Sequence, residues 1–227
     1  MNKFLLILSG LLWFVAPMVS AQDSDFGIWT SLEVKKKIFP GFDASFEGEF
    51  RTRNDVGTID RWSAGVDLSY SINSYLKLGG AYNLINYNHP KREWEVGHRY
   101  SFYATGSYVW NRIELSLREK YQQTYRVGVS ETASRANPKK IMRSRLQLAY
   151  NLPKSKLTPY TSVEFYHTLN NPQGNDLEKT RYTLGTEYKI NKRSKLDLFY
   201  RYQSETDDEE DDGRGIVTGK QIGRAHV

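Results

Sequence analysis

The sequence predicts an all-β fold: an antiparallel up-and-down transmembrane β-barrel of ten to twelve strands, its closing strand truncated. Three observations predict it. Apolar and polar residues alternate at period two from end to end, as a ribbon with two unlike faces requires. Beyond the N-terminus no apolar run reaches about 20 residues, which excludes a helical membrane protein. On the apolar parity Tyr and Trp gather towards segment ends, while the opposite parity carries acids and bases together, the pattern of aromatic girdles around a wet or salt-bridged lumen.

Composition agrees with strands. Aromatics make up 14% of the 227 residues, including 16 Tyr, and aromatic side chains favour sheets over helical bundles. The length suits one domain. Net charge is +6, but the acids and bases are interleaved, so no nucleic-acid partner is expected. Mean hydropathy is −0.64, a value that alone reads as soluble protein.

The first segment has an early charge at Lys3, an apolar run from Phe4 to Val15, and the small-residue site Val19-Ser20-Ala21. Residues 1–21 are therefore expected to be a cleaved signal peptide, with export to the outer membrane. The exported chain has no cysteine, which removes disulfides and thiol chemistry.

Along the mature chain the strands follow in order. Ile28, Thr30, Leu32 and Val34 oppose Trp29, Ser31, Glu33 and Lys35. In FDASFEGEFRTR, Phe42, Ala44, Phe46 and Phe50 oppose Asp43, Ser45, Glu47, Glu49, Arg51 and Arg53. Trp62, Ala64, Val66, Leu68, Tyr70 and Ile72 oppose Arg61, Ser63, Gly65, Asp67, Ser69 and Ser71. Two further strands fit between the connections NS, NHPKREWEVG and WN. Ile113, Leu115, Leu117 and Tyr121 then oppose Glu114, Ser116, Arg118 and Lys120, and Met142, Leu146, Leu148 and Tyr150 oppose Arg143, Arg145 and Gln147. Val163 and Phe165 oppose Glu164; Tyr182, Leu184, Tyr188 and Ile190 oppose Arg181, Glu187 and Lys189; Leu196, Leu198, Tyr200 and Tyr202 oppose Asp197 and Arg201.

Phe42, Phe46 and Phe50, four apart, would also suit a helix. Ile113-Leu115-Leu117 and Leu196-Leu198-Tyr200 would not, because residues two apart lie on opposite sides of a helix.

Connections alternate between short (KKKIFPG, NS, WN, NLPKSKL, NKRS) and longer (NDVGTID, NHPKREWEVG, RVGVSETASRANPK, NNPQGNDLEK, ETDDEEDDGRG). If the longer set is extracellular, the first strand starts outside, which conflicts with the periplasmic termini of even-stranded barrels. Either one strand is missing from this reading or the rims are reversed. GIVTGK would open one more strand. The last seven residues, QIGRAHV, are what a common short-read sequencing adapter encodes in frame. Residues 22–220 are thus expected to form the single barrel domain, and 221–227 to be an artefact.

Several stretches, FGIWTSLEV, LREKYQQTY, RSRLQLAYNLPKSKLTPYTSVEF and KTRYTLGTEYKINKRSKLDLFYRYQ, resemble a family of exported Gram-negative proteins, domain of unknown function 2490, which is taken to be an outer-membrane β-barrel. The resemblance spans residues 24–219. It implies the barrel and a closing strand of LGLGYKY type after the acidic loop, here cut short. It implies no activity.

Candidate chemistry comes from the residues. The charged parity predicts a lumen-facing network of Glu47, Glu49, Arg51, Arg53, Asp67, Glu114, Arg118, Lys120, Arg143, Arg145, Glu164, Arg181, Glu187, Asp197 and Arg201, whose opposite charges can pair across strands. Such a bore is narrow or plugged. His167 lies near Ser162, Glu164 and Asn170, but His167 and Ser162 have opposite parity, and no catalytic residue is assigned. His89, His98 and His226 read as loop or interfacial residues. Asp208, Glu210, Asp212 and Gly213 imitate the start of a calcium loop, yet Gly219 stands where a bidentate Glu is needed. No metal or cofactor is expected. The expected role is structural or the passage of a small solute across the outer membrane. An outer-membrane lipid hydrolase or acyltransferase is one alternative, and a soluble periplasmic binder another. Expected partners are outer-membrane lipid, lipopolysaccharide and the outer-membrane assembly machinery, with the barrel a monomer.

Overall fold

A computed structural model describes residues 26–89, 93–129, 136–172, 174–191, 194–205 and 224–226. The segment expected to be a signal peptide, the acidic run at 207–212 and GIVTGK fall outside these residues.

Ten long strands follow the chain: β1 (Trp29–Phe39), β2 (Phe42–Arg53), β3 (Thr58–Ser71), β4 (Leu76–His89), β5 (Glu93–Trp110), β6 (Ile113–Arg126), β7 (Lys139–Tyr150), β8 (Leu157–Thr168), β9 (Leu177–Lys189) and β10 (Lys195–Glu205). Each is hydrogen-bonded antiparallel to the next. A three-residue strand, β11 (Arg224–His226), pairs antiparallel with β10 and parallel with β1, and closes the barrel. In an up-and-down ring, direction alternates, so an eleventh strand runs with the first and the closing contact is parallel. The tail set aside from the natural sequence thus contributes three residues to the sheet.

The strands run from 11 residues in β1 and β10 to 18 in β5. All are long enough for the ~9–11 residues that a tilted strand needs to cross hydrocarbon, and those beyond that length project as rims. Among the described residues, closure pairs Ser31–Glu33 of β1 and Lys195–Asp197 of β10 through β11, at the one seam where an unpaired peptide group in hydrocarbon would cost several kcal/mol.

Exposure identifies the two faces. Phe46, Val66, Leu115 and Leu198 are 53%, 49%, 46% and 42% exposed. Their neighbours on the other parity turn inward, where Ser69, Ser101, Gln122, Arg181 and Thr183 are buried. A water-soluble barrel would bury the four apolar residues together. This one coats its outside with them. Tyr rings pair across strands on the same outer face, Tyr82 with Tyr100 at 5.2 Å and Tyr182 with Tyr202 at 6.3 Å between centroids.

The hairpins show local causes. Pro40-Gly41 turns β1 into β2 with Gly41 at φ +84°, the geometry of a type II turn, which wants Pro first and Gly second. A bulge between Lys37 and Phe39 adds the twist that this turn lacks, and the Phe39 and Phe42 rings stack across it at 4.8 Å.

Two connections expected to be long are not. β2 and β3 are joined by residues 54–57 alone, and β4 and β5 by 90–92. The strands extend through NHPKREWEVG because Asn86, Asn88, Trp94 and Val96 keep the outward parity, although polar residues there hide the alternation. The connections at 127–138 and 169–176 remain long.

Candidate functional site

Register brings the interior side chains into rows. One runs Tyr103, Lys120, Arg143, Tyr166, Lys179 across β5 to β9. The next runs Thr105, Arg118, Arg145, Glu164, Arg181, Gln203 across β5 to β10. Two like-charged pairs, Lys120 with Arg143 and Arg118 with Arg145, therefore stand directly opposite one another.

Glu164 is the carboxylate in these rows. Arg143 Nη2 donates to its Oε1 at 2.9 Å, and Arg181 Nη1 stands 4.0 Å from Oε2. The buried Tyr166 hydroxyl donates to Oε2 at 2.8 Å and itself accepts from Arg181. Arg181 also donates to Gln203, and Arg143 to Gln122 Oε1 at 3.0 Å. Charge-assisted bonds of this kind fix side chains that would otherwise be mobile.

A second cluster forms on Trp29. Its indole N–H donates to Glu49 at 2.6 Å, and Arg51 forks onto the same carboxylate at 2.7 and 2.9 Å. The Arg51 guanidinium lies 3.3 Å over the Trp29 ring, Arg201 lies 4.3 Å and Arg181 5.6 Å from it, and Phe199 meets it edge-on. Cations on an aromatic face are attracted by its quadrupole. Trp29 on β1 thereby ties to β9 and β10 from the inside, behind the place where β11 closes the sheet.

Two glycines make room for tyrosines. The Tyr103 ring crosses Gly79 so that its hydroxyl donates to Asp67 at 2.8 Å, and Tyr160 crosses Gly185 to reach Asp197.

Of the network residues predicted from sequence, Arg181 is buried and the other fourteen are half-buried. Glu49 and Arg51 meet on Trp29. Arg143, Glu164 and Arg181 join, with Arg145, Arg118 and Lys120 beside them. Glu187 holds Lys195 at 3.0 Å, Asp67 and Asp197 accept from tyrosines, and Arg201 donates to Thr183 at 3.0 Å. Across the strands Glu47, Arg53 and Glu114 face Gly65, Thr58 and Ala149.

The sequence reading omitted Trp29, Tyr103, Tyr160 and Tyr166, although each has the parity of the named charges, and Arg99, which donates to Tyr87 at 2.6 Å. It also omitted Glu119, which shares the outward parity of Leu115 and Leu117 and accepts from Ser144 at 2.7 Å. His167 is exposed on that outer face and Ser162 turns inward, so they form no pair. His98 meets the Tyr82 hydroxyl at 2.7 Å, and His89 is buried. The calcium-like run at 208–219 and the side chain of His226 lie outside the described residues.

No curated relative matches the sequence. Among solved structures the chain is similar to the NanC porin, with a TM-score of 0.52 and 13% identity over 90% of this chain and 96% of that one. It is similar also to the KdgM porin, with a TM-score of 0.48 and 13% identity over 79% and 89%. At 13% identity the likeness to the NanC porin is one of fold. The sequence itself carries the closer relationship: residues 26–214 match the family described as protein of unknown function DUF2490, and the chain belongs to that family.

Proposed function

We propose that the protein is an outer-membrane pore for the passage of small hydrophilic solutes. The observation that carries this reading is the division of faces: aliphatic and aromatic side chains outside, arginines, lysines and carboxylates inside. Polar side chains inside a membrane barrel are retained where they meet water or solute. The barrel fold shared with porins and the family membership are consistent with an outer-membrane location reached through the N-terminal signal peptide. The proposal includes a monomer in contact with outer-membrane lipid.

Single-channel recording of the mature chain in planar bilayers tests it. Discrete conductance steps are expected, and a silent membrane would count against passage. The lipid-enzyme reading draws no support from the site, because His167 and Ser162 sit on opposite faces; His167→Ala is expected to change no lipid turnover.

A further inference from the structure

We propose that the inner wall formed by β6 and β7 is a binding station for a small dicarboxylate, gripped by Arg118, Arg145 and Lys120. The site stands on geometry alone; its consequence for transport rests on the pore reading above.

Like charges directly opposite on neighbouring strands repel, at Cβ separations of about 5 Å. Here two such pairs follow in succession, Arg118 with Arg145 and Lys120 with Arg143. Glu164, although opposite Arg145 across β7 and β8, makes its ion pairs with Arg143 and Arg181. Arg118, Lys120 and Arg145 have no carboxylate within ion-pair distance among the described residues. The Nε atoms of Arg118, Arg143 and Arg145 are buried without a hydrogen-bond partner. A buried donor left unsatisfied costs about 1–3 kcal/mol, more when charged, so three in one patch mark a place where an acceptor belongs.

The patch is also held in shape. The Arg118 guanidinium lies 3.8 Å over the Tyr103 ring, which Asp67 anchors through the tyrosine hydroxyl. Gln122 and Glu164 fix Arg143 from two sides. Such a preset fork binds carboxylates with little further ordering. A monoanion would leave two of the three cations uncompensated. A dianion whose carboxylates lie about one cross-strand spacing, ~5 Å, apart engages both guanidiniums at once.

The test titrates the full chain in detergent with succinate, with acetate and sodium chloride at matched ionic strength as controls, and reads the thermal midpoint. A saturable rise with succinate alone is expected. Arg118→Gln and Arg145→Gln should each weaken the apparent affinity by about tenfold or more, while Arg112→Gln on an exposed turn should not. Should either variant fail to fold, Lys120→Gln reads the same site. No rise with succinate, a rise that sodium chloride reproduces, or one that survives these substitutions overturns the proposal. Reversal potentials in a potassium chloride gradient separate the two readings. A silent bilayer with intact succinate binding overturns the pore and leaves the site. Conduction without anion preference or succinate binding overturns the site and leaves the pore.

Discussion

The Tyr160 hydroxyl donates to both carboxylate oxygens of Asp197, at 2.9 and 3.0 Å, from two strands away. The ring can cross β9 only because residue 185 is glycine: a Cβ there would stand 2.6 Å from the ring. Glycine inside a strand usually weakens it, and here the close approach of the ring accounts for it. Tyr103, Gly79 and Asp67 repeat the arrangement on β5, β4 and β3. Gly185→Ala is expected to destabilise the barrel by about 1–3 kcal/mol through overpacking, and Tyr160→Phe by about 1.5 kcal/mol through loss of a charged hydrogen bond. Urea unfolding of the full chain in detergent measures both. Values within the error of wild type would dismiss the device.

Glu164 joins Arg143, Arg181 and Tyr166. Glu164→Gln leaves the Arg143 and Arg181 guanidiniums with reduced compensation, and breaking a buried pair by removing one partner costs about 3–5 kcal/mol. The side chains of Arg143 and Glu164 are 19% and 12% exposed, so the lower end is expected. Equilibrium unfolding checks it; a loss below about 1 kcal/mol would mean that lumen water screens the cluster.

Glu119 lies midway along β6 on the outward face, and among the described residues Ser144 Oγ, at 2.7 Å, is its hydrogen-bond donor. A charged side chain near the bilayer midplane opposes folding by up to about 2–4 kcal/mol for bases and less for acids. Glu119→Leu is therefore expected to stabilise the folded barrel in lipid vesicles by about 1–2 kcal/mol. A destabilised variant would place that position away from hydrocarbon.

Asn54, Asp55 and Val56 are successive residues of positive φ, at 52°, 51° and 70°. Asn and Asp tolerate this region, but a β-branched residue does so at a cost of about 1–2 kcal/mol. The turn is held by Val56 N–H on Phe26 O at 3.1 Å and Gly57 N–H on Asn54 O at 2.9 Å. Val56→Gly is expected to raise the thermal midpoint, since relief of strain outweighs the added freedom of the unfolded chain. A lowered midpoint would show the turn to be relaxed.

The parity of the faces was legible because a sheet between lipid and an ionic interior must alternate, and Val66 beside Asp67 or Leu115 beside Ser116 shows it locally. Which charges meet was not legible. Whether Arg145 faces Glu164 or slips past it depends on register, and one strand carries no record of its neighbour. Trp29 and Tyr166 were left out for another reason: the network was read from charged residues alone, although both rings share the inward parity. Glu119 was passed over because its apolar neighbours set the reading of that strand. The rims were misjudged at residues 88–97, where strands rise beyond hydrocarbon and both parities become polar, so the period-two signal fades.

The division of faces is tested most directly by nitroxide scanning of β6, which the cysteine-free chain permits without background. Labels on Leu115→Cys, Ser116→Cys, Leu117→Cys and Arg118→Cys in lipid vesicles are read for collision with oxygen and with a water-soluble nickel chelate. Oxygen contact should be high at 115 and 117 and chelate contact high at 116 and 118. The opposite phase, or no alternation at all, would contradict an apolar exterior around an ionic bore.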